Sequence, residues 1–315
     1  MREDRSTILV TGANGFIGSA LIAYLRKSHH WNVIPCVRPG SEGKGEASYD
    51  LLDINSVPPL NGVDVVVHTA ARVHMRPERN ADPLSAFRAA NVEGTLGLAK
   101  AAAKAGVRRF VFLSSIKVNG ESTIDGRPFT PDNEPAPQDP YGISKFEAER
   151  ELQALANASG MELVIIRPPL VYGPGAGGNI ARITKAIRWM LPMPFRNVQN
   201  RRSIVDVRNL TDFIDVCASH KLAAGEVFLV GDATAYSTPE LIKAVALTIK
   251  RKPILINMPL FLIKLISRKR SAVMTRLIGN LEVTITKNQM LLGWEPKYSI
   301  KKPYHRGKAI ASNGK

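Results

Sequence analysis

Residues 8–25 read ILVTGANGFIGSALIAYL, an apolar run, then three glycines, then a second apolar run. The first run has the length and β-branched content of a buried strand, and the second repeats apolar residues at helical spacing. Gly12, Gly15 and Gly18 fall at the junction. Glycine permits positive φ, lets backbone N–H groups approach a pyrophosphate and lets a helix pack closely on a strand. The stretch therefore predicts a dinucleotide-binding turn between a first strand and a first helix.

The same alternation of strand-like and helical patterns continues through the first two-thirds of the chain. The predicted strands are 8–12, 32–37, 63–70, 108–115 and 161–168. The predicted helices between them are 16–28, 82–105 and 141–158. This alternation is typical of an α/β protein, and it predicts a Rossmann doubly wound parallel sheet with its ligand crevice at the carboxyl ends of the strands.

The rhythm becomes less regular after RPPLVYGPGAGGN, residues 167–179. Helical patterns at 180–190, 209–220 and 238–250 are separated by short strand-like runs at 202–207 and 226–230. This region predicts a smaller C-terminal substrate lobe over the crevice. We therefore divide the chain into a dinucleotide-binding domain (1–175), a mainly substrate-binding lobe (176–300) that may return elements to the sheet, and a basic tail (301–315) expected to fray.

Composition excludes several classes of protein. The 44% hydrophobic and 22% charged fractions are those of a soluble globular chain. The start of the sequence lacks the pattern of a signal peptide, and no apolar run reaches the ~18 residues of a membrane span. Cys36 and Cys217 suggest neither a disulfide framework nor a thiolate metal site. The six histidines show no metal-ligand spacing, and His68 is predicted to belong to the core. We expect a cytoplasmic protein without a metal.

The positive charge is concentrated near the C-terminus. The net charge is +16, and residues 241–315 hold sixteen Lys and Arg against Glu282 and Glu295. Such a field suits an anionic partner, namely a nucleotide diphosphate, an anionic lipid surface or nucleic acid, or else it is a solvated basic surface. Residues 252–270, KPILINMPLFLIKLISRKR, predict either a helix packed in the substrate lobe, which we favour, or weak peripheral association with an anionic membrane. Aromatic residues are not interleaved through the basic region, so nucleic-acid binding is not expected.

The stretch DPYGISKFEAER, residues 139–150, carries the candidate chemistry. Tyr141 and Lys145 lie one turn apart on the predicted helix. A nearby ammonium favours the phenolate, so we expect Lys145 to lower the pKa of Tyr141 toward working pH, where the phenol can relay protons. The same spacing recurs at 298–302 and 304–308. Only the first pair follows a strand end with hydroxyl side chains, in RRFVFLSSIKVNG at 108–120.

In this combination of motifs the chain resembles the extended short-chain dehydrogenase/reductases, a family of nucleotide-sugar epimerases, dehydratases and reductases. The resemblance covers roughly residues 7–298 and includes, in order, TGANGFIG, DLLD, VVHTAA, NVEGT, SSIKVNG, YGISK, RPPLVYGPG and RRSIVDVRNL. It implies that Ser115, Tyr141 and Lys145 are the catalytic residues. A hydride would pass between a nicotinamide ring and a sugar carbon while a proton passes between the sugar hydroxyl and Tyr141.

The second predicted strand ends in Arg38, where an NAD site usually has a carboxylate that binds the adenine ribose. Arginine suits a 2′-phosphate, so NADP(H) is favoured and NAD(H) stays open. Asp50 is placed to bind the adenine amino group. The resemblance implies that Asn91 is a structural or a cofactor-side residue. The full set expected to bind the cofactor is Gly12, Gly15, Phe16, Ile17, Gly18, Arg38, Asp50, Leu51, Ala70, Ala71, Asn91, Tyr141, Lys145 and Pro168.

Ile116 and Lys117 stand where the family's dehydratases carry an acidic pair, so dehydration is not expected. The resemblance implies substrate contacts from Ser115, Lys117, Tyr172, Asn179 and Arg202. Asn179 is alternatively a helix N-cap, and Arg202 alternatively pairs with Asp206.

The resemblance favours a 4-keto reductase of the UDP-N-acetylquinovosamine type, acting at C4 of a UDP-hexose in the synthesis of surface-polysaccharide precursors. The alternative is a UDP-glucose or UDP-N-acetylglucosamine 4-epimerase. A non-enzymatic dinucleotide sensor or nucleic-acid-binding protein is a third, less favoured reading. The family also implies a homodimer formed through the helices at 82–105 and 141–158.

Overall fold

Seven parallel strands form one sheet in the computed structural model, which describes residues 5–53, 55–73, 82–259 and 277–300. Together with a separate pair, the strands of the described residues are, in chain order, β1 (Thr7–Thr11), β2 (Asn32–Val37), β3 (Ala47–Ser48), β4 (Val65–His68), β5 (Arg109–Leu113), β6 (Glu162–Arg167), β7 (Leu170–Tyr172), β8 (Ile204–Asp206) and β9 (Val227–Leu229), of which β7 and β8 form the pair. The sheet order is β3-β2-β1-β4-β5-β6-β9. The order reverses between β1 and β4, which creates the crevice expected of a doubly wound sheet. The predicted fold class is confirmed.

The described residues form helices that cover both faces of this sheet and others that belong to a second lobe. They are α1 (Phe16–Ser28), α2 (Pro83–Arg88), α3 (Thr95–Lys104), α4 (Pro140–Ser159), α5 (Gly178–Arg188), α6 (Val207–Ser219), α7 (Thr238–Thr248) and α8 (Thr286–Leu292). Helices α1 and α6 pack on one face, and α3 and α4 pack on the other. Each face of the sheet carries its own hydrophobic core, and consecutive residues of β1 point to alternate faces. Ile8 and Val10 pack in the core on the first face, and Leu9 packs in the core on the second. Burial on both faces explains why the strands read as continuous apolar runs.

The predicted helix over 82–105 is interrupted. Asp82 caps α2, and α2 and α3 are joined by a wider π-helical turn, Ala89–Gly94. A Cβ placed on Gly94 would lie 2.1 Å from the carbonyl oxygen of Leu51, so this turn packs directly on the loop after β3. The chain stays helical through this turn, which explains why the pattern predicted one helix.

The second lobe is built on a two-stranded parallel sheet of β7 and β8, with α5 and α7 packed together beside it. Strand β7 was not predicted because three residues after two prolines give no periodic signal. Helix α8, also unpredicted, returns to the first lobe. There the Asn288 side chain donates to the Leu229 carbonyl at 2.9 Å, and Trp294 packs into the core.

Two sequence predictions fall outside the described residues. The basic tail (301–315) and most of the amphipathic stretch 252–270, from residue 260 onward, belong to this part of the chain. Among the residues described, no helix has the length and apolarity to cross a membrane. The described residues also contain no group of His, Cys, Asp and Glu able to hold a metal ion.

His68 lies in the core, as predicted. It ends β4 with its ring between Thr11 and Thr95, whose hydroxyls lie 2.8 Å from Nδ1 and 3.0 Å from Nε2. Burial, with a smaller effect from the Lys145 charge, lowers the pKa of His68 to about 3. The ring is therefore neutral in the folded protein at neutral pH.

This lowered pKa predicts a specific acid sensitivity. Between the folded pKa of about 3 and the ordinary value of 6.5, the unfolded chain binds a proton on His68 that the folded chain does not. The free energy of unfolding should therefore decrease as the pH falls from 6.5 toward 3, by about 1.4 kcal/mol per pH unit. Urea unfolding at several pH values should show a shallower dependence for His68→Gln. Exposed His30→Gln is the matched control, and equal slopes in all three proteins would contradict the assignment.

Candidate active site

The glycine turn brings α1 against β1 at very short range. Gly12 has φ +70°, and the N–H of Gly15 donates to the Gly12 carbonyl at 2.8 Å. A Cβ on Gly18 would lie 2.1 Å from the same carbonyl oxygen, which no other residue type could tolerate. Helix α1 begins after Gly15 without a side-chain cap. Its first N–H groups are therefore presented to a ligand, as an anion site requires.

The loop after β4 forms the second wall of the site. The Thr69 hydroxyl donates to the Thr11 carbonyl at 2.6 Å, which holds Ala70 against the glycine turn. The Asn91 side chain bonds both backbone groups of Arg72, accepting from N–H at 2.8 Å and donating to C=O at 3.1 Å. Asn91 also donates to the Ser144 hydroxyl on α4 at 3.0 Å. One buried amide thus ties the loop to the helix that carries Tyr141.

A cavity of about 1590 Å³ opens over these walls. Its lining includes twelve of the predicted residues, namely Gly12, Gly15, Phe16, Ile17, Gly18, Arg38, Leu51, Ala70, Ala71, Lys117, Tyr141 and Asn179. A second cavity of about 450 Å³ shares Arg38, Leu51 and Ala71 with the first and is also lined by Asp50. The main cavity exceeds the ~300–1,000 Å³ typical of a site for one small ligand. Its residues and its size fit a pyridine dinucleotide together with a second ligand.

Tyr141 lies on this cavity at the first turn of α4. Asp139 caps the helix by accepting from the Gly142 N–H at 2.7 Å. The tyrosine ring meets Phe87 edge-on, with centroids 6.0 Å apart, and the Lys117 ammonium lies 5.7 Å from the ring centroid. Lys117 is ion-paired with Asp139, and its Nζ is 3.4 Å from a Glu121 carboxylate oxygen. The cap, the lysine and the phenol therefore form one charged group on the cavity wall.

Lys145 lies one turn further along α4, almost fully buried. Its ammonium donates to the Leu113 carbonyl at 2.9 Å and lies 4.3 Å from the centroid of the Phe112 ring. Burial lowers the pKa of Lys145 to about 7, against an opposing effect from Glu149. This contact fastens α4 to the end of β5, two residues before Ser115.

One expectation about this pair is wrong for this structure. The pKa of Tyr141 is raised above its ordinary value, first by burial and then by the Asp139 carboxylate. The prediction of a lowered pKa rested only on the attraction between an adjacent ammonium and a phenolate. The folded protein instead directs that ammonium to a backbone carbonyl of β5, and desolvation opposes ionisation of the phenol.

Ser115 is half-buried at the start of the short turn Ile116–Val118, where its hydroxyl accepts from the Lys117 N–H at 3.3 Å. Ser115 and Lys145 do not line the cavity themselves. Ser115 is two residues before Lys117, which lines it, and Lys145 is one turn after Tyr141, which also lines it. The fold thus gathers all three at the carboxyl end of β5. Their catalytic roles remain a prediction.

Several predicted ligand contacts have other partners. Tyr172 is buried in the second lobe and its hydroxyl donates to Asp232 at 2.6 Å, so it supports the lobe instead of flanking a sugar. The Arg202 guanidinium donates to the Gly279 carbonyl at 2.9 Å, and the predicted pairing of Asp206 is made by Arg208. Neither Tyr172 nor Arg202 is among the lining residues.

Pro168 and Asn91 do not line the cavity, but each makes hydrogen bonds that support the segments around it. The Pro168 carbonyl accepts from the Ile116 N–H at 3.0 Å and so shapes the turn after Ser115. Asn91 has the structural role that was one of its two predicted readings. Asn179 keeps its predicted place on the cavity, but α5 begins at Gly178, two residues before the predicted start, with Gly177 as its N-cap, so the capping alternative is wrong.

The lining residues that were not predicted include Thr69, Phe87, Asp139 and Arg182. Asp139 had a local signal, because it precedes a proline at a helix start. Arg182 follows Asn179 by three residues on α5. Residues three apart share a helix face, so the predicted contact of Asn179 could have pointed to Arg182 as well. Thr69 and Phe87 reach the cavity through tertiary packing, which no local pattern reports.

Comparisons with known proteins agree with this geometry. A model of the NAD dependent epimerase/dehydratase family matches residues 8–231. A UDP-glucose 4-epimerase of Vibrio cholerae is 39% identical, covering 96% of this chain and 94% of that protein. MoeE5 in complex with UDP-glucose and NAD is 28% identical with a TM-score of 0.73, covering 94% of this chain and 95% of that one. RMD from Pseudomonas aeruginosa complexed with NADPH is 25% identical with a TM-score of 0.74, covering 94% and 96%.

The close approach at Gly18 yields a binding test. We expect Gly18→Ala to abolish dinucleotide binding, because its methyl group must displace the Gly12 carbonyl and open the turn. Gly97→Ala is the matched control, since that helical glycine has no atom within 4 Å of the added Cβ. The control should bind normally and gain about 0.5–1 kcal/mol of stability. Calorimetric titration with NAD and NADP measures binding, and unchanged affinity in Gly18→Ala would contradict the role of the turn.

Proposed function

The chain belongs to the NAD-dependent epimerase/dehydratase family, and we propose that it is a nucleotide-sugar 4-epimerase that inverts C4 of a UDP-hexose. The observation that carries this proposal is the position of Tyr141 on one cavity with the glycine turn, with room for a second ligand. The 39% identity to a UDP-glucose 4-epimerase over nearly the whole chain supports the choice of reaction. A UDP-sugar is accordingly the proposed substrate.

The chain's own residues would manage the proton and hold the reactants. A bound nicotinamide supplies a reversible hydride acceptor. Tyr141 is the group on the cavity wall able to exchange a proton with the C4 hydroxyl of a sugar. Ser115 would hydrogen-bond the same oxygen and stabilise charge that develops there. Lys145, through its bond to Leu113, holds α4 in place.

The charged group around Tyr141 bears on the choice of reaction. Ile116 is apolar and Lys117 is a cation held by Asp139 and Glu121. Elimination of water from a sugar needs an acid and a base beside the leaving hydroxyl. A lysine already committed to two carboxylates suits the binding of a polar substrate better than abstraction of a carbon-bound proton. This supports redox chemistry at a carbinol and opposes dehydration.

Removal of the phenol hydroxyl should therefore abolish turnover and spare binding. We expect Tyr141→Phe to lower kcat by about 10²–10⁴-fold with dinucleotide affinity unchanged, because only the proton-transfer group is lost. Tyr298→Phe is the control, as Tyr298 has the same spacing to a lysine but stacks on Arg208 at 4.0 Å. Wild-type turnover in Tyr141→Phe would refute the assignment.

The reaction itself is tested by following both sugar and cofactor. Purified protein is incubated with UDP-glucose, UDP-galactose, UDP-N-acetylglucosamine or UDP-N-acetylgalactosamine, and separately with a 4-keto UDP-sugar and NADPH, and products are separated chromatographically. We expect the same equilibrium mixture from either member of a C4 pair, with no net change in absorbance of reduced cofactor. Conversion that consumes reduced cofactor stoichiometrically, and only from a 4-keto sugar, would reject the epimerase.

A 4-keto reductase of the UDP-N-acetylquinovosamine type is the second candidate, and Arg38 is the observation that favours it. Arg38 is exposed on both cavities, where it could meet the 2′-phosphate of NADP(H). A reductase must exchange its cofactor, and NADPH is the usual donor for such steps. Arg38→Gln should weaken NADPH binding and leave NADH binding unchanged. Equal effects on both cofactors would remove this argument for the reductase.

Assembly and location are also proposed. Helix α4 packs against both α2 and α3. A homodimer through these helices remains the proposed state. The cytoplasm remains the proposed compartment. Light scattering of purified protein tests the first point.

A further inference from the structure

One end of the second lobe presents bulky apolar side chains to solvent. Helix α5 ends at Arg188, and the next three residues, Trp189, Met190 and Leu191, are 64%, 65% and 47% exposed. Met190 adopts φ +52°, which turns the chain sharply after the helix. Bulky apolar residues scattered singly on a surface need no explanation, whereas a contiguous group usually marks an interaction site.

The extended segment 254–256 continues this surface. The Met193 N–H donates to the Ile254 carbonyl at 2.9 Å, and the Ile256 N–H donates to the Met193 carbonyl at 3.0 Å. Side chains alternate along an extended segment. Leu255 accordingly packs on the core of the lobe, whereas Ile254 and Ile256 are 43% and 38% exposed. We call Trp189, Met190, Leu191, Ile254 and Ile256 the apolar patch.

Charge around the patch has one sign. Residues 173–205 and 241–259 contain ten Lys and Arg and not a single Asp or Glu. Six of the basic residues are exposed near the patch along the chain, namely Lys185, Arg188, Arg196, Lys250, Arg251 and Lys252. The Lys185 ammonium lies 4.4 Å from the centroid of the Trp189 ring. The patch is therefore an apolar centre with a basic rim.

We propose that the protein docks through this apolar patch onto an anionic membrane surface, lying on the bilayer without spanning it. Such a bilayer supplies both complements at once, negative headgroups for the rim and acyl chains for the centre. Tryptophan suits this position because its ring is apolar and its N–H can remain in the wet headgroup layer.

Other occupants match the surface less well. A second copy meeting the same patch about a two-fold axis would bring two basic rims together, and the like charges would repel. A nucleic acid would satisfy the rim and leave the isoleucines and methionine without an apolar partner.

Docking here would also orient the cleft. The first residues of α5, including Asn179 and Arg182, line the cavity, and the patch lies just past the other end of the same helix. A helix of 11 residues is about 16 Å long. The cavity would therefore open within a helix length of the headgroups.

Vesicle flotation of the full chain tests the proposal. We expect the protein to float with vesicles of phosphatidylcholine and phosphatidylglycerol, to stay behind with phosphatidylcholine alone, and to be released by salt. Arg188→Glu with Lys252→Glu should lower the partition coefficient by about tenfold or more. Lys27→Glu with Lys221→Glu is the matched control, because it changes net charge equally on exposed residues away from the patch. An equal loss of vesicle binding in both double variants would mean that binding depends only on net charge, which would overturn the proposal.

Tryptophan fluorescence locates the contact independently of flotation. The chain has three tryptophans, and Trp31 and Trp294 are buried, so a change on vesicle binding reports on Trp189. We expect a blue shift and protection from iodide with anionic vesicles. Trp189→Phe should lose this signal and keep flotation. Absence of binding at low salt, an unshifted spectrum in a floating protein, or binding to RNA in place of vesicles would each overturn the proposal. None of these measurements depends on turnover, so the enzyme assignment stands or fails separately.

Discussion

The approach of helix α1 to strand β1 is the contact on which the rest of the site depends. With only 2.1 Å between the Gly12 carbonyl oxygen and the position of a Cβ on Gly18, the helix can start beneath the cavity only if that side chain is absent. The same closeness aims the first N–H groups of α1 at the place where a pyrophosphate would lie. The loop from Thr69 then closes on the turn through its bond to Thr11. Binding geometry is thus a consequence of backbone packing.

Buried polar groups transmit this geometry to the candidate catalytic helix. Asn91 joins the backbone of Arg72 to Ser144, and Lys145 joins the same helix to the end of β5. Helix α4 is fixed at two points, so Tyr141 has a defined position on the wall. Burial makes the lysine easier to deprotonate and the tyrosine harder to ionise than either is in water. The phenol of Tyr141 therefore keeps its proton at neutral pH in the folded protein.

Helix α5 connects two surfaces of different character. Its first turn belongs to the polar cavity, and its last turn leads to exposed Trp189. The segments 173–205 and 241–259, which contain the patch, hold basic residues and no acidic ones. A substrate diphosphate and an anionic lipid surface would both be attracted by this lobe, the first to the cavity and the second to the patch.

The sequence by itself determined the strand–helix alternation, the glycine turn and the placement of Tyr141 and Lys145 one turn apart on a helix, because each is encoded by residues close together in the chain. Helix α1 begins and ends where its apolar spacing predicts. Only the tertiary structure decided which side chains face the cavity and how they ionise, because both depend on neighbours distant in sequence. Desolvation raised the pKa of Tyr141, and a bond to Asp232 withdrew Tyr172 from the site. Local spacing places a residue on a face, whereas packing of the whole chain decides what that face meets.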